Sequence, residues 1–430
     1  KRFSMVPTVL DDFLQKALKN NWKIVHTIRS SHKDSYINYV LKTTEYIDCQ
    51  LQSISFQAVQ NFLIKCDIPY PTIKTMQDLI SNLFYLNLYV SSFSKNSDYF
   101  QTRNLFLTHI WNTRIKGIPH DTEANGFARE QLVLNMFKDI LRNNSYYYLN
   151  ESAQDQLLLN HLREDGIIDC DDVYKGFYFT HDIYEELVAR HLITIAYQSA
   201  RDELEFHNLL DINMSMRKYY RLWLHDRIYE DETFAVNKFI VKSVTNELIN
   251  KIWKDEILIA LMESDLHSKV LELMDDLFND DRELLIRSIF LLNTACKKVD
   301  YDAASSILTK EEQDSKINLL YRFTKPSGAG WEYLIEYMYT HMLDIEWNVG
   351  FIKLVYEMIS SWIKDVKQGV ATKRAGLLAL YLYDLLEDSE LKYKADKDIR
   401  RRLCITILES SFEIEGTLLV REPGKKSSIY

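Results

Sequence analysis

The stretch from Gly166 to Ile193 constrains the fold more than any other part of the sequence. Two short runs of β-branched and aromatic residues, Gly166–Ile168 and Gly176–Thr180, flank an acidic turn, and an amphipathic helix begins near His181 directly after them. Such runs are typical of strands, and the apolar spacing that follows is typical of a helix. Together with the helix-rich segment before it, this pattern predicts a winged helix. Winged helices bind DNA, proteins or nucleotides, so the fold alone does not indicate the function.

Glycine and proline are scarce in this chain, which contains 11 Gly and 6 Pro among 430 residues. Proteins average roughly 7% Gly and 5% Pro, and both residues interrupt helices. Their scarcity therefore predicts long helices and few tight hairpins. Hydrophobic residues make up 47% of the chain, which is enough for a large core. We predict a mainly α protein, and a chain of this length suggests about two to four domains.

The charge of the chain argues against a nucleic-acid partner. Its 62 acidic and 52 basic residues give a net charge of −10, which repels a polyphosphate. The tip of the predicted wing carries Asp165, Asp169, Asp171 and Asp172 against a single basic residue, Lys175. Phosphate contacts require Lys or Arg at such positions. Nucleic-acid binding through this wing is therefore disfavoured.

The cysteines and the hydropathy pattern indicate a compartment. Five cysteines are scattered without any C-x-x-C pair, which predicts a reducing cytoplasm and neither a disulfide framework nor a zinc site. No signal peptide or apolar run of about 20 residues is present, so we expect a soluble protein without a membrane partner. The chain opens at Lys1 rather than at an initiator Met, and we interpret it as an interior fragment of a longer protein.

The first 52 residues (1–52) are predicted to be the carboxyl-terminal part of an α/β domain. A helix over Asp11–Asn20 is followed by a compact apolar run, Trp22–Thr27, and by Arg29. A helix and a buried strand in this order suggest a parallel α/β sheet. Ligands of such sheets bind at the carboxyl ends of the strands, which is where Arg29 lies.

A helical lid is predicted over residues 53–116. A short strand, Ile47–Leu51, precedes Ser53, which is a suitable N-cap for a helix over Phe56–Lys65. A second helix ends in a strongly apolar run that contains Asn82.

These elements, in this order, resemble the STAND-type P-loop NTPases, a NACHT-like class that includes the bacterial antiviral STAND (Avs) sensors. The resemblance rests on a strand ending in Thr27-x-Arg29, a further strand, a Ser-led helix and an Asn-plus-apolar box. It implies that Thr27 and Arg29 sense the nucleotide phosphate and that Asn82 contacts the nucleotide from the lid. The family box usually reads Asn-Pro, whereas this chain has Asn82-Leu83.

STAND proteins carry a winged helix after the lid, and the predicted one spans residues 117–200. The run Phe179–Glu186 fits the family pattern, in which a His touches the ADP β-phosphate in the resting state. The resemblance implies this role for His181, with Asp182 supporting the winged helix. A helix N-terminus attracts anions, which makes the role physically reasonable. From the residue types alone, an alternative is that His181 is only a polar N-terminal residue and Asp182 a first-turn acid.

No motif for nucleotide hydrolysis is present. The P-loop pattern G-x-x-x-x-G-K-[ST] does not occur, and we found no Walker B acid, so this chain alone should not hydrolyse ATP. The resemblance implies that ATP or ADP with Mg²⁺ is bound mainly by residues outside this chain. His181 and His191 are ten residues apart, which places them on different faces of a helix and argues against a shared metal.

Residues 201–430 are predicted to be almost continuous helix in an α-solenoid of the TPR or HEAT type. Apolar faces recur there with short polar breaks, although no clean repeat consensus is visible. Arg217 and Arg221 share a helical face and are predicted to pair with Asp255 and Glu256.

The resemblance implies a nucleotide-dependent switch in signalling or anti-phage defence. In such a switch, ADP between the nucleotide domain and the winged helix keeps the protein closed. A foreign protein ligand on the helical region, such as a phage terminase or portal, opens it, and the protein forms a homo-oligomer that activates an N-terminal effector. The alternative is a non-enzymatic helical scaffold with an embedded winged helix. The two hypotheses differ in whether Arg29 and His181 converge on one polar cleft.

Overall fold

The computed structural model contains two compact units, one formed by residues 1–53 with 299–324 and the other by residues 54–298 with 325–430. The structure describes residues 14, 16–17, 19–20, 54–93, 100, 102–117, 123–143, 145–149, 155–171, 175–210, 214–230, 235–264, 273–274, 277–278, 281–300, 303, 323–388 and 397–410. The predicted strands Trp22–Thr27 and Ile47–Leu51 lie outside these residues. Nothing therefore tests the predicted α/β remnant.

The prediction of a mainly α protein is confirmed. The described part of the structure is 73% helix and contains sixteen helices and two small sheets of two strands each. Among the described residues, no helix combines the length and the apolarity needed to cross a membrane.

Four helices form the predicted lid. They are α1 (Phe56–Lys65), α2 (Lys74–Ile80), α3 (Leu83–Ser92) and α4 (Arg103–Ile110), and α4 continues into a π-helical turn, Trp111–Ile115. Polar side chains fix three of the helix starts. Ser55, and not the predicted Ser53, caps α1 by accepting from the Ala58 N–H, while Asn82 caps α3 and Thr102 caps α4.

Three helices and a hairpin follow. They are α5 (Glu123–Arg142), α6 (Gln156–Glu164), β1 (Ile168–Cys170), β2 (Phe177–Phe179) and α7 (Asp182–Ser199). The strands are antiparallel, with Ile168 opposite Phe179 and Cys170 opposite Phe177. Ile168, Phe177 and Phe179 are buried while Tyr178 is half-buried, as alternation along a strand requires. Two short strands leading directly into a helix are therefore present as predicted, the second within the predicted run Gly176–Thr180 and the first shifted by two residues from Gly166–Ile168.

The acidic residues of the hairpin region have partners within the fold. Asp165 lies 2.5 Å from the buried Arg129 guanidinium, and Asp169 lies 3.3 Å from Arg163. Asp171 accepts a hydrogen bond from the Tyr147 hydroxyl, and Asp172 lies outside the described residues. Two of the acids are therefore paired with cations, which partly neutralises their charge although both side chains remain about half exposed.

The remaining helices follow with one further hairpin. They are α8 (Glu203–Leu209), α9 (Met214–Glu230), α10 (Ala235–Thr245), α11 (Lys251–Glu263), α12 (Arg282–Thr294), β3 (Lys297–Val299), β4 (Thr324–Pro326), α13 (Gly330–Thr340), α14 (Val349–Asp365), α15 (Val370–Asp388) and α16 (Lys397–Glu409). Neighbouring and alternate helices pack on each other, as α9 does on α11, α12 on α14 and α13 on α15. The solenoid arrangement itself stays a prediction.

The β3–β4 hairpin was not expected in a region predicted to be helical. It is held beside the helices because the buried Cys296 carbonyl accepts hydrogen bonds from the Trp331 indole at 2.8 Å and from the Ser327 N–H at 3.1 Å. Gly328 has φ +94°, and a side chain there would overlap the end of α11. This close approach lets the loop before α13 lie directly on α11.

One hydrophobic cluster runs through all of these helices. It includes Val59 of α1, Leu187 of α7, Trp253 of α11 and Leu403 of α16. The predicted lid, winged helix and helical region therefore share a continuous core within one compact unit. None of the four described cysteines forms a disulfide.

Candidate functional site

Two of the predicted nucleotide-sensing residues, Thr27 and Arg29, lie outside the described residues. Their convergence with His181 stays a prediction. The other predicted site residues, His181, Asp182 and Asn82, are described, and each lies at the start of a helix.

His181 is the N-cap of α7. Its backbone is extended, and Nδ1 accepts a hydrogen bond from the Ile183 N–H at 3.1 Å. An Nδ1 that accepts carries no proton, so the proton of the ring lies on Nε2. Asp182 is exposed in the first turn of α7, where its charge interacts favourably with the helix dipole. The residue types alone already allowed His181 as a polar residue at the helix start and Asp182 as a first-turn acid.

The His181 ring also joins α7 to the predicted lid. It stacks on Phe84 with 4.1 Å between the ring centroids and 29° between the planes, and Phe84 meets Tyr184 edge-on at 5.4 Å. Phe84 lies in the first turn of α3, next to Asn82. The N-termini of α3 and α7 therefore meet through one aromatic contact. Phe84 was not predicted as a site residue, although an aromatic residue just after Asn82 is visible in the sequence.

Asn82 has a local structural role. Its side-chain oxygen accepts a hydrogen bond from the Phe84 N–H at 2.9 Å and caps α3. The helix cap alone accounts for an Asn at position 82, so a nucleotide contact is not needed to explain this residue. The predicted lid contact through Asn82 remains untested.

Four charged side chains from three helices form a cluster that we call the charge junction. It consists of Arg103 of α4, Glu186 and Arg190 of α7, and Asp226 of α9. Arg190 pairs with Glu186 at 2.9 Å and with Asp226, while Arg103 lies 3.2 Å from Asp226 and 3.9 Å from Glu186. The Arg190 side chain is only 8% exposed. The junction ties the predicted lid, winged helix and helical region together. Sequence spacing could indicate only the Glu186–Arg190 pair, whose members are four residues apart on α7.

Tyr85 of α3 lies close to the charge junction. Its hydroxyl is buried without a hydrogen-bond partner in the described structure, and burial together with the negative charge of Glu186 raises the pKa of the phenol. His225 of α9 is next to Asp226, and burial lowers the pKa of its imidazole to about 4. The imidazole is therefore neutral at pH 7, so it adds no charge to the junction.

A second group of ion pairs links α9 to α11 and α12. Glu256 is 1% exposed and accepts from both Arg217 and Arg221, at 2.6 and 2.7 Å. This confirms the predicted pairing with Glu256. The predicted pairing with Asp255 is wrong, because Asp255 pairs with Arg287 instead. Consecutive helical residues point about 100° apart, so Asp255 and Glu256 cannot both face α9.

The described residues contain no group of three His, Cys, Asp or Glu side chains that could hold a metal ion. His191 contacts two other side chains: its ring stacks on Trp111 at 3.9 Å between centroids, and its Nε2 lies 2.9 Å from Glu130. No protein-family model matches the chain, and no curated protein matches it. A functional proposal for this chain therefore rests on the contacts described above.

Proposed function

We propose that this chain is the regulatory part of a STAND-type nucleotide switch, and that the contact between Phe84 and His181 closes the lid onto the winged helix in the resting state. The stacking of these two rings is the observation that carries the proposal. It joins the starts of α3 and α7, which are the two helices to which the family resemblance assigns nucleotide contacts.

The chemistry of His181 is suited to a phosphate. Because Nδ1 caps α7, Nε2 carries the proton and is a donor. The start of α7 adds a positive helix dipole. In the proposal, ATP or ADP with Mg²⁺ supplies the phosphate charge and is held mainly by residues outside this chain. Thr27 and Arg29 sense the phosphate from the nucleotide domain.

The charge junction provides a physical route between the helical region and the lid. Asp226 of α9 pairs with Arg190 of α7 and Arg103 of α4. A protein ligand that moves α9 away from α7 must separate these pairs. Such a ligand shifts the population toward the open form only if it binds that form more tightly. A phage protein is the proposed ligand, and a homo-oligomer that activates an effector is the proposed output in antiviral defence.

The test uses the full-length polypeptide that contains this chain. His181→Ala is expected to raise oligomerisation in the absence of ligand, measured by mass photometry with ADP present, while Arg29→Ala blocks the response to ATP. Phe84→Ala should behave like His181→Ala because it removes the same contact. His161→Ala on α6 serves as the control.

His181→Asn separates the contact from the helix cap. Asn caps a helix as well as His181 does but lacks the ring. The proposal requires His181→Asn to be as active without ligand as His181→Ala. If His181→Asn behaves like the wild type, His181 is only a cap and the proposal is wrong.

A helical scaffold without a nucleotide role is the second candidate. The observation in its favour is the continuous core across lid, winged helix and helical region. A scaffold of this kind would show the same hydrogen exchange in α3 and α7 with and without ADP. A switch would show slower exchange there when ADP is bound.

A further inference from the structure

A groove of about 460 Å³ opens between α4 with its π-helical turn, α7 and α9. This volume falls within the range of small-molecule sites, roughly 300–1,000 Å³. The π-helical turn Trp111–Ile115 forms part of its wall, and such turns are frequent at functional sites. The groove is separate from the contact between Phe84 and His181.

Arg227 is the distinctive side chain of this groove. Its guanidinium lies over the rings of Tyr197 and Trp223, at 5.5 and 5.6 Å from their centroids. These contacts hold the side chain in place but leave its N–H donors unsatisfied by carboxylates. In the described structure Arg227 has no ion pair.

The other cations of the groove are already paired. Lys116 lies 3.1 Å from Glu130, and Arg190 is bound by the carboxylates of the charge junction. Glu130 also accepts from the Trp111 indole at 2.8 Å. Burial raises the pKa of the Glu130 carboxyl, but hydrogen bonds from Trp111 and Lys116 outweigh this and lower it, so the carboxylate stays charged and paired. Arg227 is therefore the positive charge of the groove that a ligand can neutralise.

The side chains that line the groove indicate what kind of group the rest of the ligand carries. Trp111 stacks on His191 on one side, and Trp223 lies under Arg227 on another. Burial lowers the pKa of His191, so this wall is uncharged near neutral pH. Trp223 is only 4% exposed and donates its indole N–H to Thr194 at 3.1 Å, so it supports Arg227 rather than facing a ligand. The half-buried Leu107 and the His191 ring, whose side chain is 29% exposed, are the apolar surfaces that a ligand in the groove can reach.

We propose that this groove binds a small molecule that carries a carboxylate or phosphate on an apolar group, with Arg227 receiving the anion and Leu107 and the exposed part of the His191 ring receiving the apolar group. Arg190 and Asp226 line the same groove. A bound ligand would therefore lie against the charge junction. The proposal does not depend on a nucleotide role for the chain.

Ligand-observed NMR titration of the 430-residue chain tests the proposal, with phenyl phosphate, benzoate and neutral benzyl alcohol as probes. At least one anionic probe should bind below about 10 mM, and Arg227→Gln should weaken it roughly tenfold or more, as the loss of a charged hydrogen bond does. Arg227→Lys keeps the charge and should lose less. The tighter of the two anionic probes distinguishes a phosphate from a carboxylate ligand.

Arg142→Gln is the matched control, because Arg142 is an exposed arginine at the end of α5, away from the groove. It should bind the probes like the wild type. The proposal is wrong if Arg227→Gln binds the anionic probe as tightly as Arg142→Gln. It is also wrong if benzyl alcohol binds as tightly as the anions, or if neither anion binds.

Discussion

Removal of the Arg190 charge tests whether the charge junction holds α7 and α9 together. Arg190→Met keeps the unbranched stem and the helix propensity of the residue but deletes the guanidinium. The side chain is 8% exposed and pairs with two carboxylates, Glu186 and Asp226. Loss of one partner of a buried ion pair costs about 3–5 kcal/mol, because the other charge is left uncompensated.

The lower end of this range is expected here. Arg103 remains 3.2 Å from Asp226 and 3.9 Å from Glu186, so both carboxylates keep one cation. A loss of about 3 kcal/mol corresponds to roughly a hundredfold faster hydrogen exchange, since 1.4 kcal/mol is tenfold. The faster exchange should be confined to α7 and α9 and is measured by mass spectrometry on peptides from these helices.

The matched control is Arg201→Met. Arg201 pairs with Glu205 but is 87% exposed, and exposed pairs of this kind contribute little to stability because solvent screens them. Combining Arg190→Met with Asp226→Asn should cost less than the sum of the single changes by about 1 kcal/mol or more, because the two residues share one interaction. Exchange in Arg190→Met that matches the control would refute the structural role of the junction.

Three further predictions concern stability, and urea unfolding or hydrogen exchange measures each of them. Burial lowers the pKa of His207 to about 4 from 6.5, so the unfolded state binds more protons between these values. His207 should therefore reduce stability by up to about 3 kcal/mol as pH drops through this window. His225 has a similarly low pKa and adds to the fall, so His207→Phe should make the dependence on pH shallower without abolishing it, and His161→Phe should leave it unchanged. Gly328→Ala should cost about 1–3 kcal/mol more than Gly369→Ala, because both positions have positive φ but only the first meets backbone atoms of α11. Asn82→Ala should cost about 1 kcal/mol in local stability of α3, and Asn82→Ser should restore it.

Much of the helical pattern could be predicted from the sequence because it is a local property. The apolar spacing predicted α1 with the observed bounds, Phe56–Lys65. It also predicted the helix that begins after His181 and the two short strands before it. Each of these depends on residues within a few positions of one another, through side-chain caps, alternation and periodicity.

The exact ends of the helices and the short strands β3 and β4 were less predictable. Ser55 caps α1 rather than Ser53, since two serines stand close together and only the geometry of the first turn selects one. The β3–β4 hairpin was missed because the bonds that hold it come from Trp331 and Ser327, which are distant from Cys296 in the chain.

By itself, then, the sequence determined the helical class, the β1–β2 hairpin and the start of α7. Only the tertiary structure decided which charges meet. Arg103, Arg190 and Asp226 are far apart in the chain and pair only because α4, α7 and α9 pack side by side. The direction of each side chain around its helix selected Glu256 over Asp255 as the partner of Arg217 and Arg221. Among the described residues, it also left Arg227 without an ion pair. Partner choice depends on the rotation and packing of whole helices, and local sequence does not encode these.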